Sequence, residues 1–451
     1  MSARRWVRFA AACSALLVLA GCGTGWGLSG MGGGGPGVHL TYTLWDPNEQ
    51  IGYQRSIDQF EKLHPNVHVT VEQIPYGNYE SKLISEFISG NGPDLYWVNT
   101  PFLAKFISDG VAMDLTPLIE RDHVDLSQYY PQLVSLHEHD GKIYGLPKDW
   151  DTIALYYNKA YFAQHHITVP TSLTWQPDGT GTFTDLLEQA TVDTHGHDAA
   201  SGDFDPGSIA SYGIGISNDP QGGYGNYLAM NGASNILDQP YSTDVTLTDP
   251  KAQQALQYIV NLMYKQHLAA PASEMGPNGD GSAAPELFSR GEIAMYETGD
   301  WNTTSISQST TFPVGVLPLP AGPRGRTSVF NGLIDAVNPH GKHLREAWEL
   351  EKWLGSAQSQ RIMGEGGFVW PAIKSLDPLF LRYWQAKHID LRPFLDEAQG
   401  QVVNFPVGPG IGEAITDIGA ALGPAYLNTQ SVPDATRHAV EVGNHDLSAR
   451  Y

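Results

Sequence analysis

Apolar and polar positions alternate from residue 39 to 45, with Leu40, Tyr42 and Leu44 on one side, which predicts a strand. Asp46-Pro47-Asn48 breaks the alternation, and Asn48 is placed to cap a helix. That helix would bury Ile57, Phe60 and Leu63 and stop at Pro65. Val67, Val69 and Val71 give a second strand. Tyr79, Leu83 and Phe87 share the face of a second helix ending near Gly90. Residues 94–98 read as a third strand and 101–109 as a short helix closed by Gly110. Strands alternating with helices predict an α/β layer structure with a largely parallel sheet. In such sheets ligands bind beyond the carboxyl ends of strands. This singles out Trp45, Asp46 and Glu49 after the first strand, and Trp97 and Asn99 in the third.

The stretch 141–159 organises the middle of the chain. A Gly-rich turn and Pro147 lead into Asp149, Trp150 and Asp151, and residues 152–157 then form a β-branched, aliphatic and aromatic strand. A polar-aromatic-polar triplet at the mouth of a fixed strand suits a ligand contact. Residues 174–208 are rich in Gly, Asp and Thr, and part of this stretch is expected to be a loop insertion. Residues 217–232 are Gly- and Asn-rich and carry Asp219, Tyr224 and Asn226. A helix is expected over 252–267, a short strand over 293–296 and an amphipathic helix over 345–354. Gly299-Asp300-Trp301 leads into a helix N-terminus, and the loop 364–371 presents Phe368 and Trp370.

With 451 residues the chain is long enough for two or more domains. Its formal charge of −22 repels nucleic acid and anionic lipid, and no basic run interleaved with aromatics is present. Arg4, Arg5 and Arg8 precede an apolar run over 9–20 that is too short to span a bilayer, so residues 1–21 read as a secretory signal. It ends in Leu19-Ala20-Gly21-Cys22, similar to a bacterial lipobox, which predicts cleavage before Cys22 and lipidation of its sulfur. Cys13 leaves with the signal, so the mature chain has no disulfide and no cysteine metal site. Residues 22–37 form a flexible Gly-rich tether. The spacing Gly25-x-Gly27-x-x-Gly30 mimics a dinucleotide fingerprint, but no strand precedes it and no helix follows. His137-x-His139 and His195-x-His197 read as surface pairs, and neither a metal nor a cofactor is expected.

Several segments in order resemble the sugar-binding class of extracellular solute-binding proteins of ABC importers, of the maltodextrin-binding type. They are Phe60-x-Lys62-x-x-Pro65-x-Val67-x-Val69, Gly92-Pro93-Asp94-Leu95, Gly110-x-x-x-Asp114-Leu115-Thr116-Pro117 and Gly141-Lys142-Ile143-Tyr144-Gly145-Leu146-Pro147. Two more follow: Leu155-Tyr156-Tyr157-Asn158-Lys159, and Phe288-x-x-Gly291-x-x-Ala294-Met295-x-x-x-Gly299-x-Trp301. The resemblance implies a two-lobed periplasmic-binding-protein fold of the class II type, with lobes 38–152 plus 313–355 and 153–312 plus 356–451, joined by two or three crossing segments. The ligand would lie between the lobes, and lobe closure would present it to a membrane permease. The protein would be a monomer held at the outer face of the membrane by its lipid.

Carried over by position, the resemblance gives Trp97 and Trp301 as stacking rings and Asp151 as a sugar-binding carboxylate. Asp46 and Glu49 would be polar contacts, and Asp219 and Tyr224 fall in the corresponding cleft loop. The region 405–412 is Gly/Pro-rich and lacks the family's aromatic there, a place Trp370 is expected to fill. Chemically the set suits a sugar, whose hydroxyls favour carboxylates and amides and whose C–H faces favour flat rings. Three alternatives remain: a secreted hydrolase using Asp149 with Asp151 or Asp300, a glycerol-phosphate binder, for which no Arg cluster is present, and a ferric-ion binder using Tyr156-Tyr157.

Overall fold

A computed structural model of the chain describes residues 37–448. The signal segment and Cys22 lie outside the described residues. The first sheet holds four strands in the order Leu333–Val337, Leu95–Asn99, Val38–Leu44 and Val67–Gln73. The last three run parallel, as βαβ units require, and Leu333–Val337 is antiparallel. The second sheet has the order Val314–Leu317, Ile153–Asn158, Ile293–Gly299, Ile209–Gly215 and Val192–Asp193. This sheet is mixed, contrary to the parallel expectation, because Ile153–Asn158 arrives from the other lobe without a crossover helix and runs antiparallel to both neighbours.

Side-chain parity along Ile153–Asn158 divides the second lobe into two cores. Ile153 and Leu155 pack with Trp175, Leu186, Ile214 and Ile259, and Ala154 and Tyr156 pack on the opposite face with Trp150, Trp370 and Phe394. The helix Thr182–Ala190 buries Phe183, Leu186 and Leu187, so part of 174–208 is core rather than inserted loop.

The helix after the first strand spans Pro47–Leu63, and its cap is Asp46 rather than Asn48. Asp46 Oδ1 accepts from the N–H of Asn48 at 2.7 Å and of Glu49 at 3.0 Å, with Pro47 in the first turn, where a missing N–H costs nothing. The buried stripe is Glu49, Gly52, Tyr53, Ser56, Ile57 and Phe60, while Leu63 is 63% exposed. Gly52 is required by contact: a Cβ there would lie 2.6 Å from the Phe368 ring.

Three segments cross between the lobes side by side. Asp151 exchanges backbone hydrogen bonds with Asn331, Lys148 N–H donates to Leu333 O, and Ala372 N–H donates to Lys148 O. The expected lobe boundaries therefore move. Val314–Leu317 stays in the second sheet, so the chain re-enters the first lobe near 331 rather than at 313. The helix Ala357–Glu365 packs on the first lobe, with Met363 in its core and Ser359 Oγ 2.7 Å from Ser56 Oγ, so the last crossing falls near 370 rather than at 355.

Lys148 pins the first crossing. It is buried, lies 3.3 Å from Asp335 Oδ1, and its ammonium sits 3.5 Å from the Trp97 ring centre and 4.4 Å from that of Tyr53. Elsewhere, fully buried Glu297 accepts from Tyr227 OH at 2.8 Å, and burial pushes its carboxyl from 4.5 up to about 8. A raised folded value means that its stabilising contribution is complete below the ordinary value and is lost as pH rises through about 8. Glu297→Gln cannot ionise. It should therefore melt above wild type at about pH 9, with the difference shrinking towards pH 5; a pH-independent difference in calorimetric scans would contradict this.

Candidate functional site

A cavity of about 740 Å³ opens where the crossing segments meet loops from both lobes. It is lined by Trp45, Asp46, Glu49 and Asn99 from the first lobe, by Asp149, Trp150 and Asp151 from the first crossing, and by Asp219, Asp300, Trp301 and Trp370. Tyr76, Phe102, Gln221, Tyr296, Asn331 and Phe405 join them.

Trp97, Tyr224 and Asn226 do not line the cavity. Trp97 is fully buried, donates its Nε1–H to Tyr42 OH at 2.6 Å, and meets Trp45 edge-on at 4.8 Å. It backs the ring that does line the cavity. Tyr224 and Asn226 lie in the first turn of the helix Tyr224–Asn231, which turns into the lobe core. Asn226 accepts from the Val329 N–H at 2.8 Å and donates to Gln221 O at 2.9 Å, so it holds the loop whose Gln221 reaches the cavity.

The rings differ in what they offer. Among the tryptophans of the lining Trp301 is the exposed one, at 37%, and its ring folds back over Gly299, where a Cβ would lie 1.8 Å from Cζ3. Trp45 is half-buried, held edge-on by Tyr76 at 5.4 Å and Tyr79 at 5.0 Å. Trp150 and Trp370 stack at 4.6 Å, and Trp370 continues to Phe380 at 4.7 Å, so both form a packed floor with little free face. Phe405 supplies an aromatic in the 405–412 region, beyond the role expected of Trp370.

The polar groups are held by backbone and amide partners. Asp151 Oδ1 accepts from Gln221 Nε2 at 2.6 Å, and Asp149 Oδ1 accepts from the Leu333 N–H at 2.8 Å. Asn99 Oδ1 accepts from Asn331 Nδ2 at 2.9 Å. Asp219 Oδ1 accepts from the N–H groups of Gln221 and Gly222 in a side-chain turn. Burial pushes the Asp149 carboxyl up to about 6, against the pull of Lys148. Burial, then repulsion from Asp151, Asp149 and Glu49, raises Asp300 well above the carboxylate range. Glu49 is raised by burial and by Asp46 and Asp149, and Asp151 by burial and Asp149.

An open cleft lined by rings and acceptors is built to hold a polar solute. A family model described as bacterial extracellular solute-binding protein matches residues 55–388. The chain belongs to this family. As an extracellular solute-binding protein it is exported, and its work is binding rather than catalysis. It is 24% identical over 417 residues to the galactooligosaccharide-binding protein of Bacillus subtilis, covering 90% of both chains. It is also 24% identical to the arabinooligosaccharide-binding protein of the same organism, covering 91% of this chain and 87% of the relative. Among solved structures, UspC of M. tuberculosis superposes with a TM-score of 0.74 at 26% identity, covering 91% of this chain and all of the other. Lmo0181 of Listeria monocytogenes, solved with cycloalternan, gives 0.77 at 20% identity and covers 91% and 98%. The two-lobed solute-binding fold is thereby established for this solute-binding protein.

The other chemistries find little in the geometry. Tyr156 and Tyr157 belong to opposite faces of one strand: Tyr156 OH meets Thr303 Oγ1 at 2.5 Å, and Tyr157 packs on Phe162. They cannot grip one ferric ion. His137 is buried between the carbonyls of Leu133 and Gly332, and burial pushes it down to about 4, while His139 lies against Tyr241. His195 and His197 flank buried Asp193, which gathers the N–H groups of His195, His197 and Asp205 to organise its loop. Among the described residues no group of three or more metal-ligating side chains is gathered. Arg326 is 39% exposed and pairs with buried Glu397 at 3.2 Å.

Proposed function

We propose that this protein is the substrate-binding component of an ABC importer, that it captures a sugar or oligosaccharide in the cavity between its lobes, and that it closes on the ligand and delivers it to a membrane permease. The observation carrying this reading is the pairing of an exposed flat ring, Trp301, with the carboxylates of Asp151 and Asp300 in one cavity. The ring suits a C–H face, and each carboxylate accepts from neighbouring hydroxyls. The volume of about 740 Å³ suits a ligand of several rings better than a single ion. Relatives named for galacto- and arabinooligosaccharides support the same class. Titration calorimetry against a panel of mono- and oligosaccharides tests it. Saturable binding of one molecule per chain by some member is expected, and absence of binding across the panel would contradict the reading.

The Leu19-Ala20-Gly21-Cys22 sequence supports attachment by lipid at Cys22, and the family resemblance supports action as a monomer beside the permease. Cys22→Ala should release the protein from the membrane fraction to the soluble fraction on cell fractionation. A variant that stays with the membrane would exclude the lipid anchor.

A further inference from the structure

The wall of the cavity is one-sided in charge. Eight carboxylate side chains line it, and no Lys, Arg or His does. Three of them, Glu49, Asp149 and Asp300, are only 8%, 5% and 5% exposed, and each keeps one carboxyl oxygen (Glu49 Oε2, Asp149 Oδ2 and Asp300 Oδ2) without a hydrogen-bond partner. A buried acceptor with no donor costs free energy, more so when it is charged, and such groups in a binding site mark where a ligand's donors belong. The buried cation beside them, Lys148, is already engaged by Asp335 and by the Trp97 and Tyr53 rings.

A neutral sugar would satisfy hydrogen bonds here but bring no opposite charge, so burial and mutual repulsion would still oppose ionisation of these carboxyls. A phosphorylated or acidic sugar would add to it. A ligand bearing a protonated amine would supply both donors and charge: an ammonium group has three donors and no acceptor, and its hydrogen bonds to carboxylates are charge-assisted. The net charge of −22 would draw such a ligand in. Trp45 and Trp301 offer ring faces on which a cation is attracted as well as a C–H face.

We propose that the solute is an amino sugar, alone or within an oligosaccharide, whose ammonium group is received by the carboxylates of Glu49, Asp149 and Asp300. This rests on the sugar reading above and narrows it. The test is calorimetry at neutral pH and low salt with matched sets. These are glucosamine, glucose and N-acetylglucosamine; galactosamine, galactose and N-acetylgalactosamine; and the β-1,4 glucosamine dimer, cellobiose and diacetylchitobiose. The N-acetyl members keep the nitrogen and remove the charge. In at least one set the free amine should bind about tenfold or more tighter than both partners, the difference expected between charged and neutral hydrogen bonds. Asp300→Asn and Glu49→Gln should shrink that preference while the protein still melts cooperatively, and added salt should shrink it too. If a hydroxyl or N-acetyl member binds as tightly as the amine in every set that binds, the amine assignment is overturned and the sugar reading stands. Silence across all sets overturns the amine assignment, while the sugar reading falls only if the wider mono- and oligosaccharide panel is silent as well.

Discussion

Replacing Lys148 by methionine is expected to destabilise the protein by about 3–5 kcal/mol, the cost of leaving a buried charge without its partner. Lys148 and Asp335 are each 1% exposed and 3.3 Å apart. Asp335 Oδ1 also accepts from Tyr42 OH at 2.8 Å, and its Oδ2 has no partner. Burial pushes the Asp335 carboxyl up, and Lys148 is the charge that opposes it. The same ammonium lowers the cost of Glu49, Asp149 and Glu351 nearby. Methionine keeps the stem packed on Trp97 and Tyr53 but removes the charge. Adding Asp335→Asn to Lys148→Met should then recover part of the loss, because the orphaned charge goes with it. Urea titration followed by tryptophan fluorescence measures both. A single variant as stable as wild type would show that the crossing segment does not depend on this pair.

The largest effects on binding are expected at Trp301 and Asp151. Trp301→Ala removes the most exposed tryptophan of the cavity and should cost roughly 1–3 kcal/mol, by analogy with aromatic–base stacking. Asp151→Ala removes a carboxylate whose Oδ1 is already fixed by Gln221 at 2.6 Å, and hydrogen bonds to charged groups are worth about 1.5–3 kcal/mol each. Either loss is about tenfold or more in affinity. Gly299→Ala provides an independent check, since its φ of −82° suits alanine and the atoms nearest the added carbon belong to the Trp301 ring, 1.8 Å away. It should weaken binding by displacing that ring, with little change in melting temperature. If Trp301→Ala and Asp151→Ala melt earlier but bind the sugar normally, both residues are structural and the site lies elsewhere.

Much of the scaffold was legible because one-residue parity and helix spacing survive in the sequence. The strands Val38–Leu44 and Val67–Gln73 and the helices Tyr76–Ile88 and Leu344–Leu354 fall where alternation and spacing put them. What failed was position along an element. Trp97 and Asn99 share a strand face, but the cavity lies past the strand's carboxyl end, and a setback of two residues, about 6.6 Å, leaves Trp97 in the core. Tyr224 and Asn226 follow the cleft loop closely in sequence, yet the helix they begin rotates them inward and leaves Gln221 and Gly222 at the wall. Tyr76 could have been found, since Pro75-Tyr76-Gly77 follows the second strand as Trp45-Asp46 follows the first. Phe102 and Thr416 could not. They line one cavity only because the helix Ile411–Tyr426 brings Gly412 against Phe102, an approach between parts of the chain some 300 residues apart. The lobe boundaries erred for the same reason: Val314–Leu317 and Ala357–Glu365 declare their helix or strand character locally, but not which lobe they join.

The central claim, that a sugar is held in this cavity by Trp301 and the neighbouring carboxylates, is tested most directly by a crystal structure of the protein grown with the sugar that calorimetry selects. The account predicts one sugar ring lying on the Trp301 face, with its polar groups within hydrogen-bond distance of Asp151 and Asp300. A sugar bound outside the cavity, touching neither Trp301 nor these carboxylates, would contradict it.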